Sequence, residues 1–288
     1  MKFRNPILTA AAMFLAAGAV ACSSDLTGPP AINDAQVSAD VAVASGDAVA
    51  SQVAGFTDNI TAAGSFTMIA PSYSVNAPGY GTNGPPRFGV VASNCSYAAG
   101  RYTCSATTEQ GLSVTRSFAF YDATGATLQT FDSTKVESVN FHAQVDGSFQ
   151  RDGVDGVWTA AVHRTHDVTV SGLISTKPQR KWNGTGSGAD TVSHAGLDGI
   201  RTLAGTAHDT VTNVVMPGKA APSQIPLSGT VVIAANYTAS LQGATGTASK
   251  QVTRRVVVTF DGTVTPKLQV GALICTLHLD THTVDSCQ

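Results

Sequence analysis

Leu227-Ser228-Gly229-Thr230-Val231-Val232-Ile233-Ala234-Ala235-Asn236-Tyr237-Thr238-Ala239-Ser240-Leu241 is the stretch that decides the fold. Its odd positions are all apolar or glycine, while Ser228, Thr230, Asn236, Thr238 and Ser240 take even ones. A period of two sends successive side chains to opposite faces, so the stretch predicts one long strand with a buried face and a wet face. Val139, Phe141, Ala143, Val145 and Phe149 alternate in the same way with Ser138, Asn140, His142, Gln144 and Ser148. Similar runs lie near 111–121, 157–171, 203–216, 247–260 and 267–279. The connections are short and rich in Gly, Asp and Ser, as in Asp122-Ala123-Thr124-Gly125, Gln242-Gly243-Ala244-Thr245-Gly246 and Asp261-Gly262. Such short links leave no room for a parallel crossover. The expectation is an all-β fold, an antiparallel meander of about ten long strands curled into a barrel or folded into two layers to bury its apolar side.

Upstream, Lys2 and Arg4 precede an uncharged apolar stretch from Ile7 to Ala21, which ends at Ala19-Val20-Ala21-Cys22. A charged start, an apolar middle and small residues at the end make residues 1–21 an expected signal peptide. Small residues directly before Cys22 resemble the lipobox of bacterial lipoproteins, with Ala19 standing where that pattern prefers leucine. The resemblance implies export, lipidation of Cys22 and a membrane partner reached through the lipid. Residues 22–33 then read as the lipidated cysteine and a flexible tether, polar and ending in Gly28-Pro29-Pro30. Ser23 is not the aspartate that in many bacteria retains lipoproteins at the inner membrane, so the expected location is the cell envelope at the outer membrane. The lipobox-like cysteine and the lack of aromatic girdles speak against a membrane-spanning barrel.

Residues 34–55 read as a short helix or a disordered stalk. Asn33 or Asp34 serves as its cap, Val37, Val41 and Ala48 share a face, and Gly55 is the stop. Residues 56–288 are expected to form a single β domain, with a long loop from Pro71 to Pro86. Removing the leader takes Lys2 and Arg4 from the 17 basic residues and leaves 15 against 19 acidic ones, a formal net charge of −4. That balance offers no basic stripe for nucleic acid. A chain 43% hydrophobic and 12% charged can build a core.

Of the five cysteines, lipidation of Cys22 leaves an even set, Cys95, Cys104, Cys275 and Cys287, suited to an oxidising compartment. A turn at Ala99-Gly100 places Cys95 opposite Cys104 and Tyr97 opposite Tyr102, and a fold-back around Thr281 brings Cys275 to Cys287. Two hairpin disulfides follow. The cysteine spacing is not that of a zinc site. Among the seven histidines, His163 and His166 have opposite strand parity, and His278, Asp280 and His282 share parity only if the strand runs through the turn. No metal or other cofactor is expected. The recognisable catalytic signatures, G-x-S-x-G, H-E-x-x-H, the P-loop and a strand-linked G-x-G-x-x-G, do not occur. Gly156-Val157-Trp158 resembles the G-x-W of lipocalins, small barrels that carry apolar ligands. The resemblance covers three residues, and in that family the motif lies on the first barrel strand, whereas here several strands precede it.

Three arginines sit on apolar faces. Arg116 shares parity with Val114, Phe118 and Phe120, Arg164 with Val162 and Val168, and Arg254 with Val252, Val256 and Val258. A buried guanidinium needs an anionic partner. Asp209, in parity with Leu203, Ala207, Val211 and Val215, is the internal candidate. Arg116, Arg164, Arg254 and Asp209 are thus the candidate ligand-binding residues, with the missing negative charge coming from loop carboxylates or from a bound anion. The expected function is that of an envelope-anchored, non-enzymatic β domain for binding or surface scaffolding. A ligand-carrying β-barrel with an anion-accepting interior is the alternative, and a secreted hydrolase the third reading.

Overall fold

The computed structural model describes residues 31–65, 95–109, 111–153, 156–174, 179–196, 199–218, 223–285 and 287–288. The expected signal peptide, Cys22, most of the tether and the Pro71–Pro86 loop lie outside the described residues.

Among the described residues one helix, α1 (Asp34–Ser65), precedes thirteen strands: β1 (Cys95–Ala98), β2 (Arg101–Glu109), β3 (Leu112–Tyr121), β4 (Thr127–Leu128), β5 (Ser138–Gly153), β6 (Gly156–Ser171), β7 (Gln179–Gly196), β8 (Gly199–Pro217), β9 (Ser228–Gly243), β10 (Gly246–Phe260), β11 (Lys267–Val270), β12 (Leu273–His278) and β13 (Thr283–Asp285). They form, among the described residues, one antiparallel sheet in sequence order, with the short β4 paired to β3 alone and with β1 and β13 at the two ends of the path. The meander expected from the period of two is present. It buries its apolar side on a helix, not on a second sheet.

Asn33 caps that helix, its Oδ1 accepting from the amide of Ala35 at 2.9 Å. The helix does not stop at Gly55 but runs on to Ser65. Glycine costs only about 1 kcal/mol in a helix and does not by itself end one. Gly46 has a packing role, because a Cβ there would collide with Val284 and crowd Leu268 and Leu277. At about 100° per residue, the buried positions Val37, Val41, Ser45, Val49, Ala50 and Asp40 point in nearly every direction around the helix axis. A helix buried all round is enclosed, not laid on a surface. The sheet accordingly rolls around α1. Gly46 faces β11, β12 and β13, while Ala44, Ala48 and Gln52 look toward Arg164, His166 and Asp209 on β6 and β8.

One part of the rolled sheet is apolar, with Phe118, Phe120, Val139, Val170, Trp182, Val214, Met216 and Val258 almost fully buried. Trp182 stacks on Phe141 at 6.1 Å. A bulge between Thr212 and Val215, with Asn213 at φ 48°, switches the inward parity of β8. Val214 and Met216 therefore point inward, and the expected inward Val215 is only half-buried. The run expected over 267–279 is broken by a turn at Gly271, φ 60°, into β11 and β12.

Both hairpin disulfides are formed, Cys95 to Cys104 and Cys275 to Cys287. The first lies beneath a turn with Ala99 and Gly100 both at positive φ, the geometry that suits the twist of a tight hairpin. Tyr97 and Tyr102 are register partners, with ring centroids 4.9 Å apart. Together the bonds tie the edge strand β1 to β2, and β12 to the segment just beyond β13.

Candidate functional site

The polar groups of the interior gather where α1 crosses β6, β7 and β8. On β7 the inward positions read Gly184, Gly186, Gly188 and Asp190. A Cβ at Gly186 would collide with the Asp209 carboxylate and crowd the His166 ring, and one at Gly188 would press on the Arg164 side chain at 2.6 Å. The glycine row is thus the space into which these three longer side chains fold.

Arg164 makes a two-pronged pair with Asp190, Nε to Oδ1 at 2.8 Å and Nη2 to Oδ2 at 2.9 Å. Asp190 is 4% exposed. Burial works against the Arg164 charge, but the Asp190 carboxylate outweighs it and holds the guanidinium above its ordinary pKa. Burial also pushes the nearby Tyr237 phenol up to about 12, helped by Asp190 and opposed by Arg164. His166 is drawn below its ordinary value by burial, which the Asp209 charge only partly offsets. Its Nδ1 stands 3.7 Å from Asp209 Oδ1 and makes no hydrogen bond among the described residues. The other Asp209 oxygen accepts from Gln52 of α1 at 3.3 Å.

A second cluster lies near the start of β8. Arg201 donates from Nε and Nη2 to the two oxygens of Asp40 on α1, at 2.9 and 3.3 Å, and from Nη2 to His194 Nδ1 at 2.7 Å. Because Nδ1 accepts, the neutral His194 carries its proton on Nε2, which has no partner among the described residues. The His194 ring stacks on Trp158, centroids 4.4 Å apart. The indole that resembles the lipocalin motif therefore lies on the sixth strand, packed against a histidine.

A third cluster holds the beginning of the helix. Lys250 donates to both Asp34 oxygens at 2.9 and 2.8 Å, and Arg254 reaches Asp34 at 3.3 Å and Ser38 at 3.1 Å. The Lys250 hydrogen bond and charge hold Asp34 below the usual carboxylate range.

The sequence-predicted residues thus meet separate partners: Arg164 pairs with Asp190, Arg254 with Asp34, and Asp209 approaches His166 and Gln52. Arg116 donates to Thr107 at 3.4 Å. Much of the required negative charge comes from α1 and β7, not from loops. Asp40, Asp190, Arg201, His194 and the glycine row were not singled out from sequence, while His166 was weighed there only as a metal ligand and Asp34 only as a helix cap. The signal was present in Gly184-Thr185-Gly186-Ser187-Gly188-Ala189-Asp190, where the even positions continue the inward parity of Trp182 without apolar side chains.

Between α1 and the sheet remains a cavity of about 40 Å³ lined by Ala48, Gln52, Arg164, His166, Asp190 and Asp209, among others. That is room for a water molecule or two and not for an organic ligand. His163 lies on the outer face against Asp146, and His278 meets Asp285 at 3.2 Å. Among the described residues, no three His, Cys, Asp or Glu side chains group to hold a metal ion, and no helix is long and apolar enough to cross a membrane.

Fold and site together define an open antiparallel meander rolled around one ion-paired helix. Compared with protein-family models, curated proteins and solved structures, the chain matches none.

Proposed function

We propose that the chain is an exported bacterial lipoprotein, held in the cell envelope at the outer membrane through an acylated Cys22, whose β domain works by binding or scaffolding and not by catalysis. The leader and the small residues before Cys22 support the anchoring. The observation that carries the scaffolding reading is α1 itself, which occupies the trough of the sheet with Val41, Ala42, Val49 and Ala50 almost fully buried, so that the cavity beside Arg164 and Asp209 measures only about 40 Å³. A carrier of drug-sized ligands would need several hundred Å³.

The intact mass of protein extracted from bacterial membranes tests the anchor, with an unmodified Cys22 thiol as the refuting result. Mass spectrometry of solvent extracts of the same protein tests the scaffold, which a stoichiometric co-purifying ligand would overturn. The inward guanidinium groups of Arg164, Arg201 and Arg254 favour a second reading, a ligand-carrying barrel with an anion-accepting interior. Against it, each already faces a carboxylate of the chain.

A further inference from the structure

We propose that the free edge of β10 pairs with an extended acidic segment of a partner protein, which adds a strand to the sheet. This names a partner for the binding reading above and rests on it, though not on the anchor at Cys22.

β10 is paired with β9 along its whole length, from Gly246 to Phe260, without a register shift. On its other side β11 covers only Val256 to Thr259. Among the described residues, no strand pairs with Thr247 to Arg255 on that side. This stretch extends about 30 Å, and every second residue in it turns its N–H and C=O away from β9. It contains no proline, so each backbone donor is present. Thr247, Ser249, Lys250, Gln251, Thr253 and Arg255 are exposed. The other free edges are blunted. β1 and β13 are four and three residues long, and a disulfide closes the hairpin beside each. On β2, the part that β1 leaves uncovered is broken by a bulge between Cys104 and Thr107. Short strands and bulges protect an edge from a further strand, and β10 has neither between Thr247 and Arg255.

Charge selects the partner. From Thr247 to Arg255 the strand carries Lys250, Arg254 and Arg255 and no acidic residue. Lys250 and Arg254 share the carboxylate of Asp34, so three cations face one anion and the edge keeps a formal excess of two positive charges. Lys250 and Arg254 lie on the inner face, whereas Arg255 lies on the outer face beside Ala234. An added strand thus meets a cation on each of its faces. The same edge of a second copy would set its own cations against these, which like-charge repulsion opposes. An acidic strand instead forms opposite-charge pairs across the new ladder while its backbone takes up the free N–H and C=O groups.

Residue-resolved hydrogen exchange of the full chain reads the edge directly. In the chain alone, alternate amides from Thr247 to Arg255 should exchange freely, while those bonded to β9 are protected. The probe is an acetylated, amidated ten-residue peptide alternating threonine and glutamate. At about ten times its Kd it should slow the free set about tenfold. The corresponding threonine–lysine peptide should not bind, nor should the glutamate peptide N-methylated throughout, which keeps the charge and loses the donors. Arg255→Glu should raise the Kd of the glutamate peptide about tenfold. Should that variant misfold, the two peptides on the unaltered chain decide the point alone. Protection of every amide from Thr247 to Arg255 in the chain alone would mean that the edge is already paired. That result, no slowing by the glutamate peptide, equal binding of the lysine or the N-methylated peptide, or an unchanged Kd in a folded Arg255→Glu each overturns the proposal. Mass spectrometry of the membrane-extracted protein and of its solvent extract tests the broader reading independently, so the two can fail separately.

Discussion

Replacing Asp190 with asparagine keeps the shape of the side chain and removes its charge beneath α1. The Arg164 guanidinium would still have an oxygen to receive one of its two hydrogen bonds, but the other donor would face an amide N–H₂. The Arg164 side chain is only 25% exposed, so bulk solvent does little to compensate. Orphaning one partner of a buried pair costs about 3–5 kcal/mol, and loss of one hydrogen bond to a charged group accounts for about 1.5–3 of it. The adjoining cavity of about 40 Å³ admits a water molecule to the unpaired donor, which places the expected loss at the lower end, about 3 kcal/mol. For a domain of this size that corresponds to a fall in Tm of about 6–12 °C.

Urea titration followed by tryptophan fluorescence would measure the loss, and an unchanged m-value would show that the fold persists. The double replacement Arg164→Met with Asp190→Leu separates charge from packing: an apolar pair removes both charges and should recover most of the stability. If Asp190→Asn alone changes stability by less than about 0.5 kcal/mol, the value of an ordinary surface substitution, the pair is solvated and the account of the interior fails.

Gly186→Ala should destabilise by about 1–3 kcal/mol through overpacking against Asp209 and His166, and an unfolding midpoint equal to the wild type would show the trough to be looser than described. His166, with its folded pKa below the ordinary 6.5, binds its proton more readily when unfolded. Its contribution is therefore complete above about pH 6.5 and declines as the pH falls from there toward the folded value. Wild-type protein should thus lose more stability between about pH 7.5 and 5 than His166→Asn, and equal losses would refute the assignment. The disulfides close short loops, with separations of 9 and 12 residues. Replacing either pair with serine should cost at most about 2–3 kcal/mol, and a larger loss in urea titration would mean that the bond does more than close its hairpin.

The long strands were legible because their inner and outer faces differ in polarity residue by residue, as in β9 and β5. β7 was not, although it is among the longest. Its inward positions in the middle are Gly184, Gly186, Gly188 and Asp190, so the alternation that identifies a half-buried strand is absent. The full extent of α1 was hidden for a related reason. Over residues 37–53, where the helix is enclosed, no single apolar stripe shows, and Gly55 resembles a stop. The inward direction of Arg164 and Arg254 was legible from parity. Their partners were not, because Asp34 and Asp190 come from a helix and a strand whose placement no local pattern reveals.

The glycine row, the enclosed helix and the ion pairs are linked. A rolled sheet of about eight strands leaves an interior that side chains alone can fill. Here twelve strands follow one another in a single rolled path, so the interior is wider and needs a further element, and α1 supplies it. Its buried side chains are mostly Val, Ala, Ser and Gly, which allow the helix to fit but discriminate poorly between one placement and another a turn away. A shift of one turn, about 5.4 Å, would instead separate Asp40 from Arg201 and Asp34 from Lys250 and Arg254, leaving charges unpaired in a partly buried setting. We therefore attribute the register of α1 within the sheet to its ion pairs and the closeness of its approach to the glycines of β7. The two are separable in measurement: Asp40→Asn should loosen the position of the helix, read as faster amide exchange along α1, whereas Gly186→Ala should displace it without removing a charge.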